Sequence, residues 1–441
     1  MIGLRRVKAA AICLSISLLA FNAAAHAAAQ TSNVAGQQTG SLPGGGAYIL
    51  HRDTTAPTVA IELWYRAPGA GYDNANPGIS RLAITAVAAS AASHGTSLAE
   101  LVTRVGGSLS INVYPDIAMV GASVPSWQAS SIIRALTNAY FAPSISDDGL
   151  KAALRDSAIA ATEAHFDSDR ILQDSLFSHI FSAGPAHYPP IPPSAQDFAK
   201  IPASDVKAFA ARAFRRANTV MTLTGSVDPK WLGNVSAAAG GAPADAPIDS
   251  ALSNTNVDVT QTSQVGGVGF AWIGPPIADA RAATAMDFIA DYLFDGDHGT
   301  VAAAVRKKQS DAFVNGQFIT LHNPGILLVT VSGGSSAALR SGVLDGVTGM
   351  QQPLDRETFD AARTAFEYHI LSQTQTPSSR ADNFGWYAAE GNAAYAPGDE
   401  SLQYLQAAQS LDPGYVAEIV RKYLQHPAIV QLLTAPRGAT T

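Results

Sequence analysis

The chain has 441 residues, enough for two or three domains of ordinary size. Charged residues make up only 14% of it, and the formal net charge is -7. An acidic chain does not gain affinity for nucleic acid by releasing counterions, so neither DNA nor RNA is an expected partner.

Residues 1–27 have the pattern of a signal peptide. Basic residues at 5–8 precede an apolar stretch at 9–21, too short to span a bilayer, and the cleavage pattern Ala25-His26-Ala27. Cleavage there leaves 25 basic and 35 acidic residues, a net charge of -10, and removes Cys13, the only cysteine. We therefore expect an exported protein, periplasmic or secreted, that does not span a membrane and has no disulfide.

Two segments of low complexity divide the remaining chain. Residues 28–46 are rich in Gln, Ser, Thr and Gly and are predicted to be a flexible lead-in. Residues 233–256 mix Gly, Ala, Pro and Asp without hydrophobic periodicity and are predicted to be a linker. These boundaries define an N-terminal domain at 47–232 and a C-terminal domain at 257–441.

The first half begins with a predicted strand and helix. Residues 58–66 alternate as in a half-buried strand. Pro77 then fits the first turn of a long helix that ends at Gly106-Gly107. Residues 108–124 predict a pair of strands. The next helix has one apolar stripe, formed by Trp127, Ile132, Ile133, Leu136 and Tyr140.

The second half repeats this order of elements. Residues 266–273 alternate as a strand and lead into a helix at 280–294, and residues 311–332 predict a second pair of strands. A helix at 357–373 takes the place of the stripe-bearing helix, and both helices are predicted to cover a sheet.

The ends of the two halves also correspond. Val206 and Phe209 match Val416 and Ile419 at a constant offset of 210 residues. The predicted fold class is therefore α+β, with two tandem homologous domains that each have a mainly antiparallel sheet and helices on one face.

Common motifs for metal or nucleotide binding do not occur in the sequence. The ten histidines include no H-x-x-E-H and no pair at i and i+4. There is also no G-x-S-x-G elbow and no Walker loop. The densest cluster is Glu163, His165 and Asp167, which would share a face on a strand, but its position after a helical stretch favours a solvated helix end.

Several segments occur in a characteristic order. TVAIELWYRAPGA is followed by LVTRVGGSLSINVYPD, HYPP and DVKAFAARAFRRANTVMTLTGSVDP; later, residues 270–276 form a strand and Pro-Pro turn, and residues 305–313 read VRKKQSDAF. This order resembles that of an insulinase-like (pitrilysin family) zinc peptidase over roughly residues 47–432. The resemblance implies a tandem of two α+β domains, like the halves of a clam.

The family's zinc motif is replaced in this chain. In active members two imidazoles of H-x-x-E-H bind zinc, and the glutamate activates the bound water. By the resemblance, Arg81 and Thr85 occupy the ligand positions and Ile84 the general-base position, and the region of the third ligand, residues 159–162, reads IAAT. A noncatalytic member with no metal of its own is therefore implied, with zinc only on a partner chain, and the helix itself is predicted to be a core helix.

Elements of substrate binding are retained in part. The resemblance implies an arginine and a tyrosine seven residues apart that bind substrate carbonyls, and Arg306 and Phe313 have this spacing without the hydroxyl. The alternative for Arg306 is a solvated basic helix end. Gly296 and Gly299 lie where related noncatalytic subunits have a glycine-rich loop that contacts substrate, although a simple helix-to-helix turn would also explain them.

Together these patterns predict an exported noncatalytic subunit of an insulinase-like zinc peptidase. It would pair with a zinc-bearing chain and help to enclose a peptide substrate, which can add as a strand to a sheet edge. The alternative is a stand-alone peptide-binding or assembly protein, in the form of a homodimer. A third hypothesis is an active peptidase with a displaced metal site.

Overall fold

The computed structural model describes residues 36–42, 45–66, 69–73, 76–93, 95–181, 193–235, 257–295, 299–333, 336–391 and 400–434. These residues belong to one compact unit. The predicted signal peptide and residues 236–256 of the predicted linker lie outside the described residues.

The first half of the chain forms one sheet and its helices. In chain order the elements are β1 (Gln37–Ser41), β2 (Ala47–Arg52), β3 (Thr58–Arg66), α1 (Ile79–Ala89), β4 (Ala91–Ser93), β5 (Thr96–Ser97), α2 (Leu98–Arg104), β6 (Ser108–Val113), β7 (Ile117–Pro125), α3 (Ala129–Phe141), α4 (Asp147–Ala164), α5 (Ser168–Ile180), α6 (Ala195–Lys200), α7 (Ala203–Ala213) and β8 (Thr219–Gly225). The strand order in the sheet is β1-β2-β8-β3-β7-β6, and β4 pairs with β5 in a separate small hairpin. Only β2 and β8 pair in parallel among the described strands of this sheet.

The second half forms a sheet of the same design. Its elements are β9 (Asp258–Ser263), β10 (Gly267–Ile273), α8 (Ala280–Phe294), α9 (Thr300–Lys308), β11 (Phe313–Ile319), β12 (Ile326–Ser332), α10 (Ser336–Gly349), α11 (Arg356–Ser372), α12 (Pro377–Glu390), α13 (Glu400–Gln409), α14 (Pro413–Tyr423) and β13 (Ala428–Thr434). The strand order is β11-β12-β10-β13-β9, and β13 and β9 pair in parallel. This matches the order β6-β7-β3-β8-β2 of the first sheet, so the predicted α+β class with two homologous sheets is confirmed.

The halves exchange one helix each, which the sequence did not predict. Helix α5 of the first half packs on β10, β12 and β13, and α12 of the second half packs on β3 and β8. Each sheet is therefore covered on both faces, and not on one face as expected. For this reason β3 is buried on both sides, although its alternation predicted a half-buried strand.

Small residues allow the exchanged helices to approach closely. A Cβ at Gly269 of β10 would lie 3.1 Å from the Cβ of Leu172 in α5, and a Cβ at Gly385 of α12 would lie 1.9 Å from the Trp64 ring nitrogen. The start of α12 accepts a hydrogen bond at the Pro377 carbonyl from the Thr224 hydroxyl. Its last turn is held by the guanidinium of Arg66, which donates to the Ala388 carbonyl at 2.7 Å.

The close contact at Gly385 leads to a first prediction. We expect Gly385→Ala to lower the free energy of unfolding by about 1–3 kcal/mol, because the added methyl group displaces Trp64 or the helix. The matched control is Gly349→Ala, at the end of α10, where a Cβ meets nothing within 4 Å. That variant should be neutral or slightly more stable, since alanine favours helix. Urea unfolding of both variants tests this prediction. Equal stabilities would contradict the close contact between Gly385 and Trp64.

Buried carboxyl groups lie at the contact between the halves. Glu62 of β3 accepts a hydrogen bond from the Trp64 ring nitrogen at 2.9 Å. Burial, together with the carboxyl of Asp382 in α12, raises the pKa of Glu62 to about 8. At the other end of α12, burial and the neighbouring Asp116 raise the pKa of Glu390 well above its usual value. Asp116 in turn accepts a hydrogen bond from the His322 backbone at 3.3 Å.

Three expectations need correction. Strand β1 lies within the predicted flexible lead-in and pairs with β2 from Gln37↔His51 to Ser41↔Ala47. Trp127 is 76% exposed because residues 126–128 form a separate 3-10 turn before α3 begins, so its side chain leaves the buried stripe. The long first helix is interrupted after Ala89, where Ser90 turns into extended backbone.

Candidate functional site

A cavity of about 390 Å³ opens in the first half between α1, α4 and the start of α5. Its wall includes side chains from α1, α4, α5, α6 and the residues before α1. The lining residues that matter for its chemistry are Asp73, Arg81, Thr85, Asp156, Ala160, Ala161, Glu163, Asp167, Arg170 and Asp174.

The start of α1 is fixed by a buried aspartate. Asp73 accepts hydrogen bonds from the backbone N–H groups of Gly78 at 2.7 Å and Ser80 at 3.0 Å, so it satisfies donors that the helix leaves free. Burial raises the pKa of Asp73 to about 7. Gly78 has a φ of 87°, which favours glycine. This arrangement sets the direction in which the first turn of α1 projects its side chains.

Arg81 projects from this first turn to the edge of the sheet. Its Nη1 donates a hydrogen bond to the Ile111 carbonyl of β6 at 3.1 Å, and the side chain remains exposed to the cavity. Burial and the nearby guanidinium of Arg170 lower the pKa of Arg81. Arg170 itself is paired, with its Nε 2.8 Å from the carboxylate of Asp174.

Three further carboxylates in the lining come from α4 and the residues after it. Asp156 and Glu163 lie on α4, and Asp167 follows it. The predicted helix end at Glu163, His165 and Asp167 is confirmed: α4 ends at Ala164, and Asp167 caps α5 by accepting N–H groups of the next turn at 3.0 and 3.2 Å. The cavity lining therefore combines two arginines, Arg81 and Arg170, with the five carboxyl groups of Asp73, Asp156, Glu163, Asp167 and Asp174.

The structure brings together the positions that the resemblance assigns to zinc binding. Arg81 and Thr85 of α1 share the cavity wall with Ala160 and Ala161 of α4. Ile84 does not line it; the residue is fully buried, and its carbonyl accepts the Tyr140 hydroxyl at 2.7 Å. Helix α1 is thus not only a core helix, since three of its residues, Ser80, Arg81 and Thr85, line a cavity.

Potential metal ligands gather at a different place. Within the described parts of the chain, three such groups approach one another closely only at Asp291, Asp295 and His369. The Nδ1 atom of His369 lies 2.7 Å from the carboxylate of Asp291. This bond joins α11 to α8, which accounts for the arrangement without a metal ion.

The other predicted site residues lie outside this cavity. Arg306 is half-buried on α9, and Phe313 is 57% exposed at the start of β11, an edge strand of the second sheet. Gly299 precedes α9, and a Cβ there would lie 2.6 Å from the Leu293 carbonyl, so a tight turn between helices explains the glycine. Gly296 lies outside the described residues.

Sequence reasoning missed Arg170, Asp156 and Asp174 as members of the cavity. The spacing of Arg170 and Asp174, four residues apart on one helix, is a sequence signal for an ion pair. It gives no indication that the pair faces α1, because that depends on how α5 packs.

The fold is shared with solved peptidase structures. A peptidase M16 inactive domain from Pseudomonas fluorescens superposes with a TM-score of 0.76 at 18% sequence identity, over 92% of this chain and 99% of that one. A protease from Helicobacter pylori gives 0.75 at 14% identity, over 91% and 99% of the two chains. An M16-like protein from Alicyclobacillus acidocaldarius gives 0.72 at 13%, over 90% and 98%.

These neighbours define the class of fold. It is the two-domain fold of M16-like peptidases, the insulinase-like family. No protein-family model and no curated protein matches the sequence itself. No helix in the described part of the chain is both long and apolar enough to cross a membrane.

Proposed function

We propose that this protein is an exported, noncatalytic member of the insulinase-like family that binds an extended peptide. The observation that carries the proposal is the cavity itself. The resemblance assigns the zinc-ligand positions to Arg81, Thr85 and the region of residues 159–162, and the first two line the cavity together with Ala160 and Ala161 of that region. A guanidinium, a hydroxyl and two methyl groups offer no set of zinc ligands.

The sheet beside the cavity supports peptide binding. Strand β6 pairs with β7 on one side and ends the described sheet on the other. Such an edge presents backbone N–H and C=O groups to an added strand. The cavity is open beside this edge, since Val113 of β6 belongs to its lining.

We further propose that the chain pairs with a zinc-bearing relative. The retained two-domain fold together with the replaced ligand positions supports such a division of roles. Arg306 and the exposed ring of Phe313 would then contribute to binding of the substrate held by the pair. The alternative, a stand-alone peptide-binding protein, keeps the same cavity and β6 edge but needs no partner.

The proposed function predicts a protein that binds peptides without cleaving them. The purified chain, from residue 28 onward, should retain no stoichiometric zinc after dialysis and should leave unstructured peptides intact. Metal analysis and mass spectrometry of the incubated peptides check this. About one tightly bound zinc per chain, with peptide cleavage that a chelator stops, would contradict it.

Affinity purification from the native host separates the two forms of the proposal. Recovery of a second chain that carries H-x-x-E-H and stays bound during gel filtration would support pairing, since stable complexes of this kind bury some 2,000 Å² or more. Recovery of this protein alone would favour the stand-alone binder.

A further inference from the structure

Two buried carboxyl groups meet where the end of α12 contacts the first half of the chain. Glu390, the last residue of α12, is 1% exposed, and Asp116, in the turn between β6 and β7, is 8% exposed. The Oδ2 atom of Asp116 accepts a hydrogen bond from the His322 backbone N–H at 3.3 Å. Among the described residues, the Oδ1 atom of Asp116 and both carboxyl oxygens of Glu390 have no such donor. Two buried carboxylates with so few donors are costly, so the pair favours a proton.

The ionisable groups on the elements that meet at this pair are His322, Arg66, Tyr114, Glu62 and Asp382. The Nδ1 atom of His322 lies 2.7 Å from the backbone carbonyl oxygen of Glu390, and a charge on this ring stabilises the carboxylate of Asp116. The guanidinium of Arg66 donates to the Ala388 carbonyl. Within the described part of the chain, neither carboxyl group of the pair forms an ion pair with an arginine or lysine.

A single proton between the two groups removes this conflict. Burial raises the pKa of Glu390 well above its usual value, and the negative charge of Asp116 and a hydrogen bond to it add to the effect. The proton therefore stays on Glu390, which donates to the carboxylate of Asp116. When the proton is lost, two negative charges face each other in a dry site and repel.

The pair is one of several contacts that hold the last turn of α12. Trp386 in this turn packs edge-on against Tyr114, with ring centroids 4.8 Å apart, and its ring nitrogen donates to the Thr320 carbonyl at 3.1 Å. The helix ends directly after Glu390, where Gly391 has a φ of 73°. A movement of the last turn therefore does not strain a further turn of helix.

We propose that Asp116 and Glu390 form a pH-sensitive contact between the two halves of the chain. With one proton shared, the last turn of α12 is held against the turn between β6 and β7. Once that proton is lost, repulsion releases the last turn while the rest of α12 stays on the first sheet. This inference goes beyond the proposed function and does not depend on peptide binding. It also differs from a change in overall stability, because it is confined to one end of one helix.

Hydrogen–deuterium exchange of the chain from residue 28 onward, followed by mass spectrometry, tests this contact. Labelling runs from about pH 5 to pH 9, a range that includes the pKa values of other deeply buried glutamates, with times corrected for the intrinsic effect of pH on exchange. Amides at 387–391 should lose at least about tenfold in protection with rising pH, since each unit of pKa shift changes the closing equilibrium by that factor. Glu390→Gln should remove the dependence, because its amide still donates to Asp116 and does not ionise.

Two further variants complete the test. Asp116→Asn removes the repelling charge and supplies an amide donor to the carboxylate of Glu390, so the loss of protection should move to lower pH, where deprotonation becomes easier. The matched control is Glu418→Gln, at an exposed position on α14, which should behave like the wild-type protein.

Three results would overturn the proposal. The first is protection that falls equally in α5, in α8 and at both ends of α12, because pH would then act only on overall stability. The second is a pH dependence that persists unchanged in Glu390→Gln. The third, which decides the matter if Glu390→Gln folds poorly, is a transition in Asp116→Asn at the same pH as in the wild-type protein.

Discussion

Trp64→Ala is expected to lower the free energy of unfolding by about 3–5 kcal/mol, the usual cost of deleting a large buried aromatic side chain. Trp64 is 1% exposed, and its ring packs against Tyr114 and Trp386. Its ring nitrogen is also a donor to the buried Glu62, which the variant would leave with fewer partners.

The chain offers a matched control in Trp127, whose side chain is 76% exposed. Trp127→Ala should change stability by less than about 0.5 kcal/mol. Both variants are compared by urea unfolding at one pH. Similar losses for the two tryptophans would show that α12 does not cover β3 as described.

The second large effect concerns pH. Burial raises the pKa of Glu62 to about 8 and those of Asp73 and Asp287 to about 7. A carboxyl group with a raised pKa binds its proton more tightly in the folded chain than in the unfolded chain. The stability it contributes is present below its unfolded pKa, near 4, and is lost as the pH rises through 7 to 8.

We therefore expect the free energy of unfolding to fall by on the order of 3 kcal/mol or more between about pH 5 and pH 8. Glu62→Gln should flatten this dependence, because the amide oxygen still accepts from Trp64 and no longer ionises. Glu100→Gln, at an exposed position on α2, is the control that should leave the slope unchanged. Stability that rises steadily from pH 5 to pH 8 would contradict the burial of these groups.

Local pattern predicted much of the fold. Helix α8 has the predicted bounds, and α7 and α14 both begin and end at the predicted offset of 210 residues. Val206 and Val416 are both buried there, as equal positions in a repeat should be. These elements were predictable because hydrophobic period and capping residues act over a few turns of chain.

The hydrophobic pattern did not predict which helix packs on which sheet. The apolar residues of α5 and α12 indicate that each helix buries one face. Nothing in the local sequence indicates that this face packs on the sheet of the other half of the chain. Trp127 has the period of the buried stripe but lies two residues before its helix begins, in a separate 3-10 turn. At the cavity, the resemblance to the family motif singled out Arg81 and Thr85. Arg170 and Asp174 line the cavity because of the way α5 packs, which the sequence did not predict.

The helix exchange also bears on how the chain acquires its structure during synthesis. The strands of the first sheet are complete at Gly225, but the helix that covers Trp64 begins only at Pro377. Until that helix has left the ribosome, the first half presents a bare apolar sheet face, a surface prone to wrong association. Helix α5, in contrast, is made before the sheet it covers. The final fold therefore forms only when nearly the whole chain is available.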